Sequence, residues 1–171
     1  MDLILLRHGE TEHNTNRIIS SDDVSLNDLG RLQIERVADK LHNMIIDRAI
    51  VSPLVRTYES FEIIRQYHDI PYNYDKDVAE IDAGNIKGMR YEEAMIKYEK
   101  EMKARMEDYI YNPYPGGEST YEAYERAGKV IRKLKEQTGN VLMITHGGFI
   151  TMMLANILGD IKSSFRFTID N

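Results

Sequence analysis

Leu3-Ile4-Leu5-Leu6-Arg7-His8-Gly9 is the stretch that decides the fold. Four consecutive apolar residues without polar alternation predict a strand covered on both faces, as in a parallel sheet flanked by helices. The run stops at Arg7, too short for a secretory h-region or for the ~20 residues of a membrane-spanning helix, so a cytoplasmic place is expected. Where the strand stops, the chain carries a guanidinium, an imidazole and a glycine.

The same pattern recurs twice further along. Ala49 to Val51 is a second short apolar run and leads into Ser52-Pro53-Leu54-Val55-Arg56; Val141 to Ile144 is a third and leads into Thr145-His146-Gly147-Gly148. Between the first two, Ile34, Val37, Ala38 and Leu41 recur at spacings of three and four, which predicts an amphipathic helix from Asn27 to about Asn43, capped by Asn27 or Asp28. Pro53 predicts the start of a helix running to about Tyr67, because a missing N–H costs nothing in the first turn. Pro71 to Val78 reads as extended, and Ala83-Gly84-Asn85 with Gly88 as a loop. Tyr91 to about Tyr109, dense in Glu, Lys, Met and Ala, reads as one helix. Seven of the eleven tyrosines lie between Tyr91 and Tyr124, a clustering that fits aromatic packing better than a substrate lid. Pro113, Pro115, Gly116 and Gly117 break the chain before a helix from about Ser119 to Glu136. A helix from Phe149 to Leu158 and a last strand around Phe165 to Ile169 complete the reading. This alternation predicts one domain over residues 1–171 of the α/β class, a three-layer α/β/α sandwich around a mainly parallel sheet.

Composition closes off several function classes. A chain of 171 residues can bury roughly 70% of its unfolded surface in one core, and 42% hydrophobic with 29% charged residues is ordinary for a globular domain. The absence of cysteine removes disulfides, thiol catalysis and thiolate metal sites together. A net charge of -6 with no long basic run argues against a broad nucleic-acid surface, yet leaves room for one small anion pocket.

Arg7-His8-Gly9, Ser52 to Arg56, and Thr145-His146-Gly147-Gly148 share one structural address. Each follows a predicted strand, and open α/β sheets bind ligands beyond the carboxyl ends of their strands. Backbone N–H groups around Gly9 and Gly147, at the starts of the following helices, are expected to face that edge and favour an anion. Arg7 and Arg56 offer planar donor pairs that match phosphate oxygens, while His8 and His146 each supply a nitrogen able to attack, donate or accept. Taken singly, an arginine reads as a salt-bridge partner and a histidine as a hydrogen-bonded buried side chain; the common address makes phosphate the natural occupant. Paired histidines also bind zinc with a third protein ligand, but arginine beside each would repel the cation and no H-E-x-x-H spacing is present, so no metal is expected. His13, His42 and His68 show no partner pattern and read as surface or packing residues.

Beyond this reading, Leu5-Leu6-Arg7-His8-Gly9-Glu10-Thr11 with Asn14 resembles the signature of the histidine phosphatase superfamily, which includes the cofactor-dependent phosphoglycerate mutases. Ser52-Pro53-Leu54-Val55-Arg56-Thr57 resembles the family's second arginine segment, Glu80-Ile81-Asp82-Ala83-Gly84 its acid loop, Pro115-Gly116-Gly117-Glu118-Ser119 its turn before a helix, and Thr145-His146-Gly147-Gly148 its second histidine. The matches run in family order across nearly the whole chain. The resemblance implies a phosphoglycerate mutase-like fold in which neutral His8 attacks phosphorus in line with the leaving oxygen and forms a phosphohistidine. Arg7, Arg56 and His146 then hold the equatorial oxygens, with Asn14 and Gly147 in the same phosphate-binding set. Glu80 is the expected proton donor to the leaving alkoxide and the later base toward water, since a carboxyl beside bound phosphate is pushed toward its protonated form. Asp82 and Glu118 are alternatives for that role; Glu10 and Glu12 read as structural or exposed, and Thr145 and Ser52 as orienting groups.

The chain departs from many relatives at Ile86-Lys87 and at Ala83, which bears on substrate preference. Only Ile81 to Tyr114 separates Glu80 from the Pro-Gly-Gly turn, where typical phosphoglycerate mutases carry an insertion. A small phosphatase acting on phosphate monoesters without a cofactor is therefore expected. The main alternative is the mutase, with 2,3-bisphosphoglycerate as its cofactor. A noncatalytic phosphate-binding module and a metal-dependent hydrolase are the readings from other classes. The expected partner is a small phosphorylated metabolite rather than nucleic acid or membrane, and the oligomeric state stays open.

Overall fold

A computed structural model describes residues 2–171, without the side chain of Phe165. Among the described residues, β1 (Leu3–Arg7), β2 (Arg48–Val51), β3 (Tyr72–Tyr74) and β4 (Val141–Thr145) form one sheet in the order β1-β4-β2-β3, with every neighbouring pair parallel. Seven α-helices join them: α1 (Glu12–Thr15), α2 (Asp28–Leu41), α3 (Val55–Ile64), α4 (Tyr91–Lys97), α5 (Glu99–Glu107), α6 (Thr120–Lys135) and α7 (Gly147–Ile157). None is long and apolar enough to cross a membrane.

The sheet is covered on both sides, which is why its strands read as unbroken apolar runs. Side chains alternate along a strand, so Leu3, Leu5, Val141 and Met143 turn toward a core shared with Ala127, Val130 and Leu134 of α6 and Phe149 and Met153 of α7. Ile4, Leu6, Leu142 and Ile144 turn the other way, onto Ile34 and Ala38 of α2 and Phe61 and Ile64 of α3. Central β4 is buried along its whole length. Burying one such Ile, Leu or Phe side chain is worth about 1.5–3 kcal/mol, so the paired layers set the register firmly.

Local signals start α2 and α6 where the sequence placed them. Asn27 caps α2 by accepting from the Gly30 N–H at 2.7 Å. Ser119 opens α6 with a reciprocal box, its hydroxyl accepting from Glu122 N–H at 3.1 Å while the Glu122 carboxylate accepts from Ser119 N–H at 2.7 Å. Three expectations need correction. The helix expected over Tyr91 to Tyr109 breaks at Tyr98, whose backbone (φ -124°, ψ 44°) leaves the helical region as it packs with Ala83, Ile86 and Met102 in a third, smaller core. Helix α3 starts at Val55 with Leu54 as its N-cap, so Pro53 lies just before the cap, outside the first turn. The last strand is not formed: Ile161–Arg166 is a 3-10 turn, and the residues after it join no ladder. Instead the Ile169 carbonyl accepts from the Arg7 guanidinium, and the Asn171 amide donates to the His8 carbonyl at 2.9 Å.

The register brings the chemistry together. Arg7 pairs with Thr145, and Val51 with Ile144. The ladder continues one step further, His8 N–H donating to Thr145 O and Ser52 N–H to Ile144 O, each at 3.0 Å. His8, Ser52 and His146 therefore leave the sheet side by side at its carboxyl edge.

Candidate active site

His8 is 3% exposed. Its Nδ1 lies 2.7 Å from the Gly9 carbonyl, which can only accept, so the proton belongs on Nδ1 and Nε2 carries the lone pair. Arg56 Nε donates to that Nε2 at 3.2 Å. Burial, with the Arg56 charge acting in the same direction and the Gly9 carbonyl against it, takes the His8 pKa down to about 3. His146 is fully buried with its ring centroid 5.2 Å from that of His8, and its Nε2 meets Ser52 Oγ at 2.8 Å. Burial first and Arg56 second hold it well below the usual imidazole range. His146 Nδ1 is buried without a hydrogen-bond partner.

The two arginines stand beside these rings. Arg56 is 2% exposed and donates through Nη1 to Ser21 O at 2.8 Å. Arg7 reaches Ile169 O, while its Nε is buried and unpartnered. Burial lowers the pKa of both guanidiniums, opposed chiefly by Glu80. Among the described residues no carboxylate forms a salt bridge with either. Buried cations without a paired anion are costly, and here buried Arg56 and partly buried Arg7 stand near a neutral imidazole.

Glu80 closes the other side, seated on the N-terminus of α7. Its Oε1 accepts from Phe149 N–H at 2.9 Å and its Oε2 from Gly148 N–H at 3.2 Å. This corrects the expectation that the donors around Gly9 and Gly147 are left for an anionic ligand: Glu80 occupies the N–H groups of Gly148 and Phe149, as the helix dipole favours, and Gly9 N–H donates to Ser60 Oγ. Any side chain at position 148 would collide with it, since a Cβ there would stand 2.6 Å from Glu80 Oε1.

The sequence reading missed what holds the acid loop. Arg126 of α6 donates to the carbonyls of Asp77 at 2.8 Å, Ala79 at 2.9 Å and Glu80 at 3.3 Å, grips Glu118 at 3.0 and 2.7 Å, and lies 4.6 Å over the Phe149 ring. The Pro-Gly-Gly turn completes the seat, Glu118 N–H donating to Asp82 O and Asn85 N–H to Pro115 O, each at 2.8 Å. The backbones approach so closely that a Cβ on Gly117 would stand 2.2 Å from Asp82 O. The turn is thus a support for the acid loop as well as the approach to a helix.

A cavity of about 250 Å³ is lined by Arg7, His8, Asn14, Arg56 and Glu80, together with Ile19, Ser20, Ile81, Ala83, Tyr114 and Gly148. Asn14 spends its Oδ1 on Thr11, at 3.0 Å to the N–H and 2.9 Å to the hydroxyl, which leaves its NH2 group to present. Gly147 is not part of this lining; it lies against Arg7, whose Nε would be 3.4 Å from a Cβ there. Asp82 and Glu118, the alternatives to Glu80, are outside it, paired with Lys87 and Arg126. Glu10 bonds Asn27, Glu12 is exposed, and Thr145 Oγ1 is spent on Val78 O. His13 anchors Ser21 N–H at 3.3 Å, while His42 and His68 face each other away from the site. Of the tyrosine cluster, Tyr114 reaches the cavity, Tyr98 packs beneath it, and Tyr91, Tyr111 and Tyr121 are exposed.

Both site histidines are neutral when folded and regain a pKa of about 6.5 on unfolding. Their folded values lie below the unfolded ones, so between the two the unfolded chain holds more protons and stability falls as pH falls. The loss begins near pH 6.5 and amounts to at most about 1.4 kcal/mol per pH unit for each histidine. Urea unfolding from pH 7 to 5 is expected to show it, with a shallower slope for His8→Ala; equal slopes would contradict the assignment.

A family model described as the histidine phosphatase superfamily (branch 1) matches residues 3–171. Phosphoglycerate mutase-like protein 4 of Arabidopsis thaliana is 32% identical over 155 residues, 87% of this chain and 67% of that protein. Phosphoserine phosphatase 1 of Hydrogenobacter thermophilus is 30% identical over 173 residues, 99% of this chain and 82% of that protein. The chain also matches 6-phosphofructo-2-kinase/fructose-2,6-bisphosphatases at 33–34% identity, spanning only 29–32% of their length. The fold is that of the alpha-ribazole phosphatase from Shigella flexneri, with a TM-score of 0.93 at 22% identity, covering 100% of this chain and 87% of that one.

Proposed function

The chain belongs to the histidine phosphatase superfamily, and from that premise we propose that it is a metal-independent phosphatase that hydrolyses small phosphate monoesters through a phosphohistidine on His8. The observation that carries this reading is the neutral, buried His8, its Nε2 accepting from Arg56 in a cavity lined by two arginines that have no carboxylate partner among the described residues.

The substrate's phosphoryl oxygens take the donors of Arg7 and Arg56, and Arg56 Nε moves from His8 Nε2 onto one of them, which frees the lone pair. Nε2 bonds to phosphorus as the bond from phosphorus to the ester oxygen breaks, and Glu80 supplies the proton that the departing oxygen needs. The Gly9 carbonyl steadies the imidazolium character that develops on Nδ1–H. In the second half, water gives its proton to Glu80 and its oxygen to phosphorus, the bond to Nε2 breaks, and phosphate leaves. Preorganised donors on the equatorial oxygens stabilise both transition states, which is the main requirement of phosphoryl transfer. No cofactor enters the scheme, and a cytoplasmic small metabolite is the proposed substrate.

The test is phosphate release from 4-nitrophenyl phosphate with and without EDTA, beside conversion of 3- to 2-phosphoglycerate. Release that EDTA leaves unchanged, without isomerisation, is expected. Isomerisation without release would replace this reading with the mutase, and loss in EDTA would replace it with a metal-dependent hydrolase.

A further inference from the structure

We propose that the leaving group of the substrate is an uncharged, largely apolar alcohol, a single ring or short chain, and that a second anionic group on it is selected against. This rests on the phosphatase reading above and concerns the outer part of the same cavity.

The cavity divides by chemistry. Arg7, His8, Arg56 and Glu80 provide the charged and reacting groups, whereas Ile19, Ile81, Ala83 and Tyr114 give an apolar wall to which Ser20 and Asn14 add only neutral polar groups. Its volume of about 250 Å³, just under the ~300–1,000 Å³ of sites for drug-sized molecules, suits a phosphoryl group with one ring or short chain. Among the described residues Arg7 and Arg56 are the only cations lining it, and both serve the phosphoryl group.

Three further cations near the cavity are already engaged. Lys87 borders the adjoining hollow, which shares Ser20, Arg56, Glu80 and Ile81 with the cavity. Its Nζ is 2.9 Å from Asp22 and 2.8 Å from Asp82. One cation between two carboxylates leaves that rim with a net negative charge. Arg105 lies 3.8 Å over the Tyr114 ring and donates to the carbonyls of Tyr109 and Asn112 and to the Thr120 hydroxyl, which holds the ring in place and spends the guanidinium. Arg126 is committed to Glu118 and the acid-loop carbonyls. A carboxylate or second phosphate on the leaving group would meet an apolar wall and a negative rim, with no cation in the cavity's described lining beyond the two that hold the phosphoryl group. An uncharged ring would instead gain contact with Ile19, Ile81 and Tyr114.

The test compares kcat/KM for phenyl phosphate, 4-carbamoylphenyl phosphate and 4-carboxyphenyl phosphate. The last two match in size and differ in charge. The carboxylate is expected to fall at least about 10-fold below the carbamoyl ester at low salt. In Asp22→Asn, whose exposed side chain can change without disturbing the core, that gap is expected to narrow about 3-fold while phenyl phosphate is turned over as before. Equal or better use of the carboxylate by the natural protein overturns the proposal, and an unchanged gap in Asp22→Asn overturns the part given to the rim. If none of the three esters is hydrolysed, it is the phosphatase reading that fails, and this inference with it.

Discussion

His8→Ala is expected to lose phosphate release by about 10⁴-fold or more in kcat, judged from other enzymes deprived of their nucleophile. Among the described residues that line the cavity, His8 is the one imidazole. The His146 Nε2 is held by Ser52, the Thr145 hydroxyl by Val78, and the chain has no cysteine. The variant keeps both arginines, so it is expected still to bind inorganic phosphate or vanadate, measurable by calorimetry. That combination separates loss of the nucleophile from collapse of the pocket. His146→Ala is expected to fall less far, because it removes the ring packed against His8, outside the described lining of the cavity, and leaves the His8 lone pair in place. Turnover by His8→Ala within a few fold of the natural protein would sink the phosphohistidine scheme.

Glu80→Gln carries the second large effect, and its size is expected to depend on the leaving group. A general acid contributes about 10²–10⁴-fold, but only where the departing oxygen needs its proton. Alkyl phosphates are therefore expected to lose about 10²–10³-fold in kcat, and 4-nitrophenyl phosphate, whose leaving oxygen is stable as an anion, about 10-fold or less. Glutamine also disturbs the seat itself. One of the two carboxylate oxygens that face the N–H groups of Gly148 and Phe149 becomes an NH2, and a donor then faces a donor. Some loss of thermal stability is expected from this, and it is the same for every substrate. The slope of log kcat against leaving-group pKa is the readout that a purely structural role of Glu80 would not move. Parallel losses for both esters would assign the acid to another group.

The apolar runs are enough to put His8, Ser52 and His146 at one edge of the sheet, and the structure has them there. Leu3 to Leu6, Ala49 to Val51 and Val141 to Ile144 were readable as strands because a sheet covered on both faces removes polar alternation, and the residue after each strand follows from chain order alone. The seat of Glu80 was not readable. Arg126 lies 46 residues from Glu80 and acts on backbone carbonyls, which leave no side-chain pattern; in Tyr124-Glu125-Arg126-Ala127 it reads as one more charge on a helix surface. The one sequence sign was its spacing of eight from Glu118, outside the three-and-four rule of pairs within a helix. The helix from Tyr91 misled because propensity is uniform through Tyr98, while the break comes from packing against Ile86 and Met102. Phe165, Phe167 and Ile169 alternate as a strand would, yet the Ile169 carbonyl goes to the Arg7 side chain rather than to a ladder on β1. The cavity wall of Ile19, Ile81 and Tyr114 also escaped notice, since it is gathered from three separate loops.

The stereochemical course at phosphorus tests the central claim most directly. A monoester made chiral at phosphorus by sulfur and isotopic oxygen is hydrolysed in labelled water and the configuration of the released thiophosphate is determined. Attack by His8 followed by attack of water is two in-line displacements, and net retention is the expected result. Net inversion would mean that water reaches phosphorus in a single step, and would contradict a phosphohistidine intermediate.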